Sequence, residues 1–307
     1  MPYLLLFILF FSLENIAQAQ EITIEGEATV KYESRQYNTP GIADLEFVER
    51  TMRLKATTPL SAETSLFLRL GHQSYSGHNT DPTKTAFDQY GLLWKNPHRT
   101  IVLGSQETYL GAYGAMFDNS SNVGEGMFLG IDIRENRGQN HYHLASGRLD
   151  PALFDDSQSR NFFGAEWAHY LDDTRLLVSY LHIPNLPKKA DNFVGFSINA
   201  PVGKGEWIAE YVQSSAPTAN RALLVGLNYQ PTEKQAFKVI AGEILDNAVP
   251  EGKSTLGGYD NGIRGFQFTV IQALNPSNRI SIKYTQAETI TSNIPIKKTE
   301  IEYTHVF

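Results

Sequence analysis

The chain has 307 residues, with 26 Lys and Arg against 33 Asp and Glu, and no cysteine. Zero cysteines exclude a disulfide framework and any Cys-ligated metal site, and the modestly acidic balance offers no nucleic-acid footprint. A thiol-free chain also suits export, unfolded, into an oxidising compartment.

The first nineteen residues read as an address. Leu4 to Leu13 is apolar apart from Ser12, Glu14-Asn15 is polar, and Ala17-Gln18-Ala19 is the small-x-small pattern of a signal-peptidase site. The apolar run is half the roughly 20 residues that a membrane-spanning helix needs. We therefore expect a signal peptide at 1–19 cleaved after Ala19, although Met1-Pro2-Tyr3 lacks the Lys or Arg such segments carry. With Glu14 removed, 26 cations face 32 anions, so the mature chain, 20–307, carries −6.

From there period-two alternation is nearly everywhere. In Ile22 to Ser34 the residues Ile22, Ile24, Gly26, Ala28, Val30 and Tyr32 share one face; Thr23, Glu25, Glu27, Thr29, Lys31 and Glu33 share the other. The second face is too charged for a protein core, yet the first must be buried in something apolar. Lipid outside and water inside satisfy both. Met52, Leu54 and Ala56 repeat the pattern against Thr51, Arg53 and Lys55, as do Leu66, Leu68 and Leu70 against Ser65, Phe67 and Arg69, and Tyr90, Leu92 and Trp94 against Gln89, Gly91 and Lys95. Further strands are expected at 99–105, 127–134, 139–149, 161–171, 175–183, 192–200, 205–214, 220–230, 235–245, 260–272, 279–289 and 296–307, sixteen in all. Residues 175–183 are apolar on both faces, and Arg50 falls on the lipid face.

The joins alternate in length, as they do in membrane barrels. Short turns at 57–62, 95–99, 135–140, 171–174, 201–205, 230–234 and 274–278 are rich in Pro, Gly, Asn and Asp. Longer loops fall between them at 72–86, 106–126, 150–160, 184–191, 246–259 and 290–295. The phase holds to the end, which leaves both termini on the short-turn, periplasmic side. The expected fold is all-β: a single transmembrane antiparallel β-barrel of about 16 strands, with no second domain. Trp94, Trp207 and Tyr211 occupy lipid-facing registers near strand ends, where amphipathic rings belong.

The last strand ends on Phe307, with Ile301, Tyr303 and His305 on the same face. This resembles the recognition end of outer-membrane barrel proteins, read by the barrel-assembly machinery. The whole mature chain resembles in architecture the sixteen-stranded general diffusion porins of Gram-negative bacteria. Its most specific stretch is IVLGSQETYLGAYG, residues 101–114, which is similar to the porin strand before the loop that folds into the lumen; Ser105 stands where that family often has Arg. The resemblance implies an outer-membrane channel for small hydrophilic solutes and ions, in contact with lipid and lipopolysaccharide, assembled as a homotrimer and working without a cofactor. It also implies an acidic inward loop facing basic wall residues. Candidates are Glu107, Asp118 and Glu125 in the loop, with no Lys or Arg between Arg99 and Arg134, and Arg53, Lys55 and Arg69 across the lumen.

Two other classes are open. A substrate-specific channel has the same sequence pattern. An outer-membrane lipid hydrolase could use Ser74 activated by His72, within GHQSYSGH, but Tyr75 and Ser76 replace the Asn-Gly of the hydrolase pattern. His141 and His143 alternate on one strand without a carboxylate motif, which argues against a metal site.

Overall fold

The structure, a computed structural model, describes residues 22–79, 81–112, 116–119, 122–154, 158–186, 190–250 and 261–307. The expected signal peptide and its cleavage site at Ala19 lie outside the described residues.

Sixteen antiparallel strands close into one barrel. In chain order they are β1 (Thr23–Gln36), β2 (Leu45–Pro59), β3 (Thr64–Gly77), β4 (Lys84–Lys95), β5 (Arg99–Gln106), β8 (Phe128–Arg137), β9 (Asn140–Leu149), β10 (Arg160–Leu171), β11 (Thr174–His182), β12 (Asn192–Val202), β13 (Gly205–Ser214), β14 (Arg221–Thr232), β15 (Gln235–Ile244), β16 (Ile263–Asn275), β17 (Asn278–Thr289) and β18 (Pro295–Val306). A separate two-residue pair, β6 (Tyr109–Leu110) and β7 (Phe117–Asp118), lies in the connection between β5 and β8.

Each wall strand pairs with its sequence neighbour, and β1 closes on β18 through ten residue pairs from Glu27↔Val306 to Gln36↔Lys297. At the end of this seam Gly26 and Phe307 exchange both backbone hydrogen bonds, at 2.8 and 3.0 Å. The Phe307 ring lies directly over Gly26, where a Cβ would come within 2.3 Å of it.

Exposure inverts the rule for water-soluble proteins. On β12 Val194, Phe196 and Ile198 are exposed, while Phe193, Ser197 and Asn199 between them are buried. On β18 Ile301 and Tyr303 are exposed, and Glu300 and Thr304 are buried. Trp207 is exposed close to the short turn that precedes it. The outer belt is therefore apolar, as hydrocarbon requires.

The short turns are tighter than expected. Residues 138–139 and 203–204 each join two strands, with φ of +60° at Gly138 and +58° at Gly203, the left-handed conformation that two-residue hairpins need. On the opposite rim the strands run further than alternation alone predicts. β3 continues to Gly77 and β4 starts at Lys84, so the loop expected at 72–86 shrinks to 78–83. The reason is polar composition: His72, Ser74 and Ser76 replace the leucines of the outward row while ladder pairing continues, as in Val48↔Ser76.

Two features of the wall redirect its inner face. The register between β3 and β4 slips by one residue, from Arg69↔Gln89 to Leu70↔Phe87, so Asp88 is the extra residue of a β-bulge. Asp88 and Gln89 consequently both face inward. Further round, Gly91, Gly104, Gly130 and Gly147 pair in sequence across β4, β5, β8 and β9. A Cβ on Gly104 would meet the Tyr90 carbonyl oxygen at 2.0 Å, so the backbones approach too closely there for a side chain.

The closing seam makes a prediction. Deleting Phe307, or Gly26→Val, which drives a side chain into the Phe307 ring, should lower the heat-modifiable, assembled fraction several-fold on unboiled gels. Export and the β-type circular-dichroism spectrum of refolded protein should persist. Full assembly of both variants would show that the seam tolerates loss of its last contact.

Candidate functional site

The described residues of the connection between β5 and β8, 107–112, 116–119 and 122–127, make their contacts with inward-facing side chains of the wall. On one side these contacts are polar. Glu107 Oε1 accepts from Arg69 Nη2 at 2.8 Å, and Asp88 holds the same guanidinium at 2.8 and 3.1 Å. Glu125 pairs with Lys84 at the start of β4. The Val123 amide donates to Gln73 Oε1 at 2.9 Å, and Gln73 Nε2 donates to Asn122 at 3.3 Å and to Glu49 at 2.8 Å. At its base, Thr108 Oγ1 donates to Asp132 Oδ2 at 2.8 Å, and His143 Nε2 lies 2.8 Å from the same oxygen. Asn119, fully buried, ties the segment to itself by accepting from the Thr108 amide and donating to the Gly126 carbonyl.

On the other side the contacts are apolar. Leu110, Met116 and Phe117 are fully buried. Leu110 fills the hollow left by Gly164 on β10, and Met116 the one left by Gly195 on β12. Phe117 stacks on Phe162 with ring centroids 5.9 Å apart. These residues join a cluster of inward residues that includes Leu149, Leu181, Phe193, Val212, Leu224, Ile240 and Ile244. Part of the inner wall from β9 to β15 is thus an apolar core, where water inside was the expectation for the inward rows generally. The two-sided apolar strand at 175–183 belongs here, since its inward Leu181 is part of this packing, and Leu177 is likewise buried.

The remaining wall carries charge. Lys283 lies 3.2 Å from Glu300; Lys298 lies 3.4 Å from both Glu300 and Glu33; Lys31 lies 3.7 Å from Glu33 and 2.6 Å from Glu49. Glu49 meets Gln73, which holds the inner segment. Alternating charges thus run across β17, β18, β1 and β2 to the segment on β3. Each carboxylate has a cation on either side or an amide donor, which offsets the cost of desolvating it.

No protein-family description matches the chain, and no curated protein is similar in sequence. Solved structures match over nearly the whole chain. Two engineered variants of the porin of Rhodopseudomonas blastica align with 94% of this chain and 100% of their own, at TM-scores of 0.63 and identities of 10% and 12%. A structure described as "Asymmetric conductivity of engineered proteins" aligns over the same shares with a TM-score of 0.61 and 14% identity. The chain has the porin fold.

Within that fold the six charged candidates have different surroundings. Arg69 and Glu107 meet directly. Among the described residues Glu125 is joined to Lys84. Asp118 lies in β7 opposite Tyr109. Arg53 faces Glu27 at 3.6 Å, and Lys55 sits over the Phe67 ring at 5.2 Å. Sequence reading missed Asp88, because strict alternation from Gln89 puts it on the lipid face. His72 Nδ1 is 2.8 Å from Thr85 Oγ1, and no hydrogen bond joins it to Ser74 among the described residues. Ile301, Tyr303 and Phe307 line the outer face at the seam.

The hollows at Gly164 and Gly195 seat the inner segment, so filling one should release it. In Gly164→Leu the barrel should stay β-rich while chymotrypsin cuts between 109 and 117. Trypsin is no use there, since 100–133 contains no Lys or Arg. Leu110→Ala, by opening a cavity, should cost about 2–5 kcal/mol, read as a lower melting temperature. A Gly164→Leu chain as resistant as the parent would mean that the segment is held by its polar side alone.

Proposed function

We propose that the protein is an outer-membrane porin, exported by cleavage after Ala19, that passes small hydrophilic solutes and ions by passive diffusion. The observation that carries this reading is a closed sixteen-strand barrel with an apolar outer belt and a charged inner wall. Residues 107–127 then form the constriction, with the Arg69, Asp88 and Glu107 group at its edge. Passage of a solute needs no group that makes or breaks a bond; the work is desolvation and field. Opposed charges beside a low-dielectric dry core act strongly on a passing ion. Lipopolysaccharide around the belt, the assembly machinery at Phe307 and a homotrimer follow from the same reading. The dry core favours one variant of it: with part of the inner wall apolar, the water path is confined to the charged side, which suits a more selective channel.

Planar-bilayer recording tests the pore itself. Purified protein should give discrete conductance steps in potassium chloride, and its absence of steps at any protein dose would end the reading. Selectivity tests the constriction. Asp118→Asn with Glu125→Gln, and separately Asp88→Asn, should move the reversal potential in a salt gradient toward anions. Arg69→Gln and Arg53→Gln should move it toward cations. Both shifts should fade between 0.15 and 1 M salt, as the screening length falls from about 8 to about 3 Å. Asp81→Asn, in the exposed loop after β3, serves as control. Shifts no larger than the control would put 107–127 outside the conducting path.

A further inference from the structure

Beneath the stem of the inner segment, on its short-turn side, the wall holds a hollow of about 260 Å³. Its floor is β4 and β5, with Gln89, Leu93, Thr100 and Val102; Lys55 and Phe67 bound it on one flank, Asp132 and Arg134 on the other, and Gln106 and Glu107 roof it. Gly91 and Gly104 pair across these two strands, next to the floor residues.

The balance of used and unused hydrogen-bonding groups decides what the hollow would take. Both carboxylates are committed: Glu107 accepts from Arg69, and Asp132 is shared by Thr108, His143 and Arg134. The cations are not. Among the described residues Lys55 makes no ion pair or hydrogen bond, although Glu25 stands opposite it across β1 and β2, and its ammonium rests on the face of Phe67. Arg134 spends its Nε on Asp132 at 3.1 Å, and its guanidinium is held against the Tyr109 ring at 5.5 Å, with neither terminal nitrogen hydrogen-bonded among the described residues. Gln89 and Thr100 add neutral side chains that have no side-chain hydrogen-bond partner among the described residues. An ammonium and a guanidinium fork, each steadied by an aromatic face and facing a recess, are complementary to carboxylate oxygens.

We propose that this hollow is a binding station for a small organic anion bearing one or two carboxylates. A hollow of this size admits a four-carbon diacid. Lys55 and Arg134 hold the carboxylates, and Thr100 and Gln89 take hydrogen bonds between them. The proposal specifies the solute class of the pore described above and rests on that reading only for how the anion arrives.

Succinate is the probe, with erythritol as a neutral solute of equal heavy-atom count. Calorimetric titration of the detergent-solubilised barrel should show one saturable succinate site and none for erythritol. Lys55→Gln and Arg134→Gln should each weaken it about tenfold or more, and Lys55→Arg should restore it. Lys55→Gln removes no ion pair, so its fold, checked by the gel shift on boiling, is expected to stand. No saturable heat with succinate, equal heat with erythritol, or unchanged affinity in both Gln variants would overturn the proposal. Conductance separates this from the pore reading. Clean channels that bind no succinate would sink the station and leave the pore, whereas succinate binding without any channel would do the reverse.

Discussion

Hydrocarbon offers no partner to a backbone N–H or C=O, and every other property of this molecule is built inside that constraint. Sixteen strands satisfy it only by closing, which makes the β1–β18 seam the point on which the ladder depends. Once the ladder is closed, each strand is free to spend its two faces separately. The outward rows take valine, leucine, isoleucine and aromatics. The inward rows need not be uniform, and they are not.

That freedom explains the asymmetric interior. Where the inner wall is apolar, residues 107–127 lay Leu110, Met116 and Phe117 into it and exclude water. Where it is charged, the same segment is held by Arg69, Lys84 and Gln73. The two modes of attachment differ in kind. Apolar contacts fix how deep the segment sits, through hollows shaped by Gly164 and Gly195; ion pairs and amide contacts fix its register along the wall. Charges on the far side are themselves chained from Lys283 to Glu49, so that no single carboxylate is left to carry its desolvation alone.

Most of the architecture was legible in the sequence because a barrel strand declares both faces in its alternation. Ile22 to Ser34 suffices to show it. The ends of β3 and β4 were not legible, since Ser74, Ser76 and Lys84 look like loop residues and only cross-strand pairing keeps them extended. The approach of Glu107 to Arg69 could be read from charge and chain order. Asp88 could not, because a bulge changes the parity of everything beyond it and leaves no mark in composition. The dry core had a signal, the doubly apolar stretch at 175–183, whose meaning depends on what packs inside. Lys55 and Arg134 meet at one hollow from strands far apart in sequence, a relation that a linear reading of one chain does not contain.

The seam also dictates a history for the molecule. Residues 27 and 306 must meet, and they are nearly as far apart along the chain as two residues here can be. Every hairpin can form from neighbours, but the last pairing waits for the whole chain and bears the largest loop-closure entropy. Until then the growing sheet has two raw edges, each a template for the wrong partner. A protein built this way is safe only after its final residue arrives, so its vulnerability lies in time rather than in any one place on its surface.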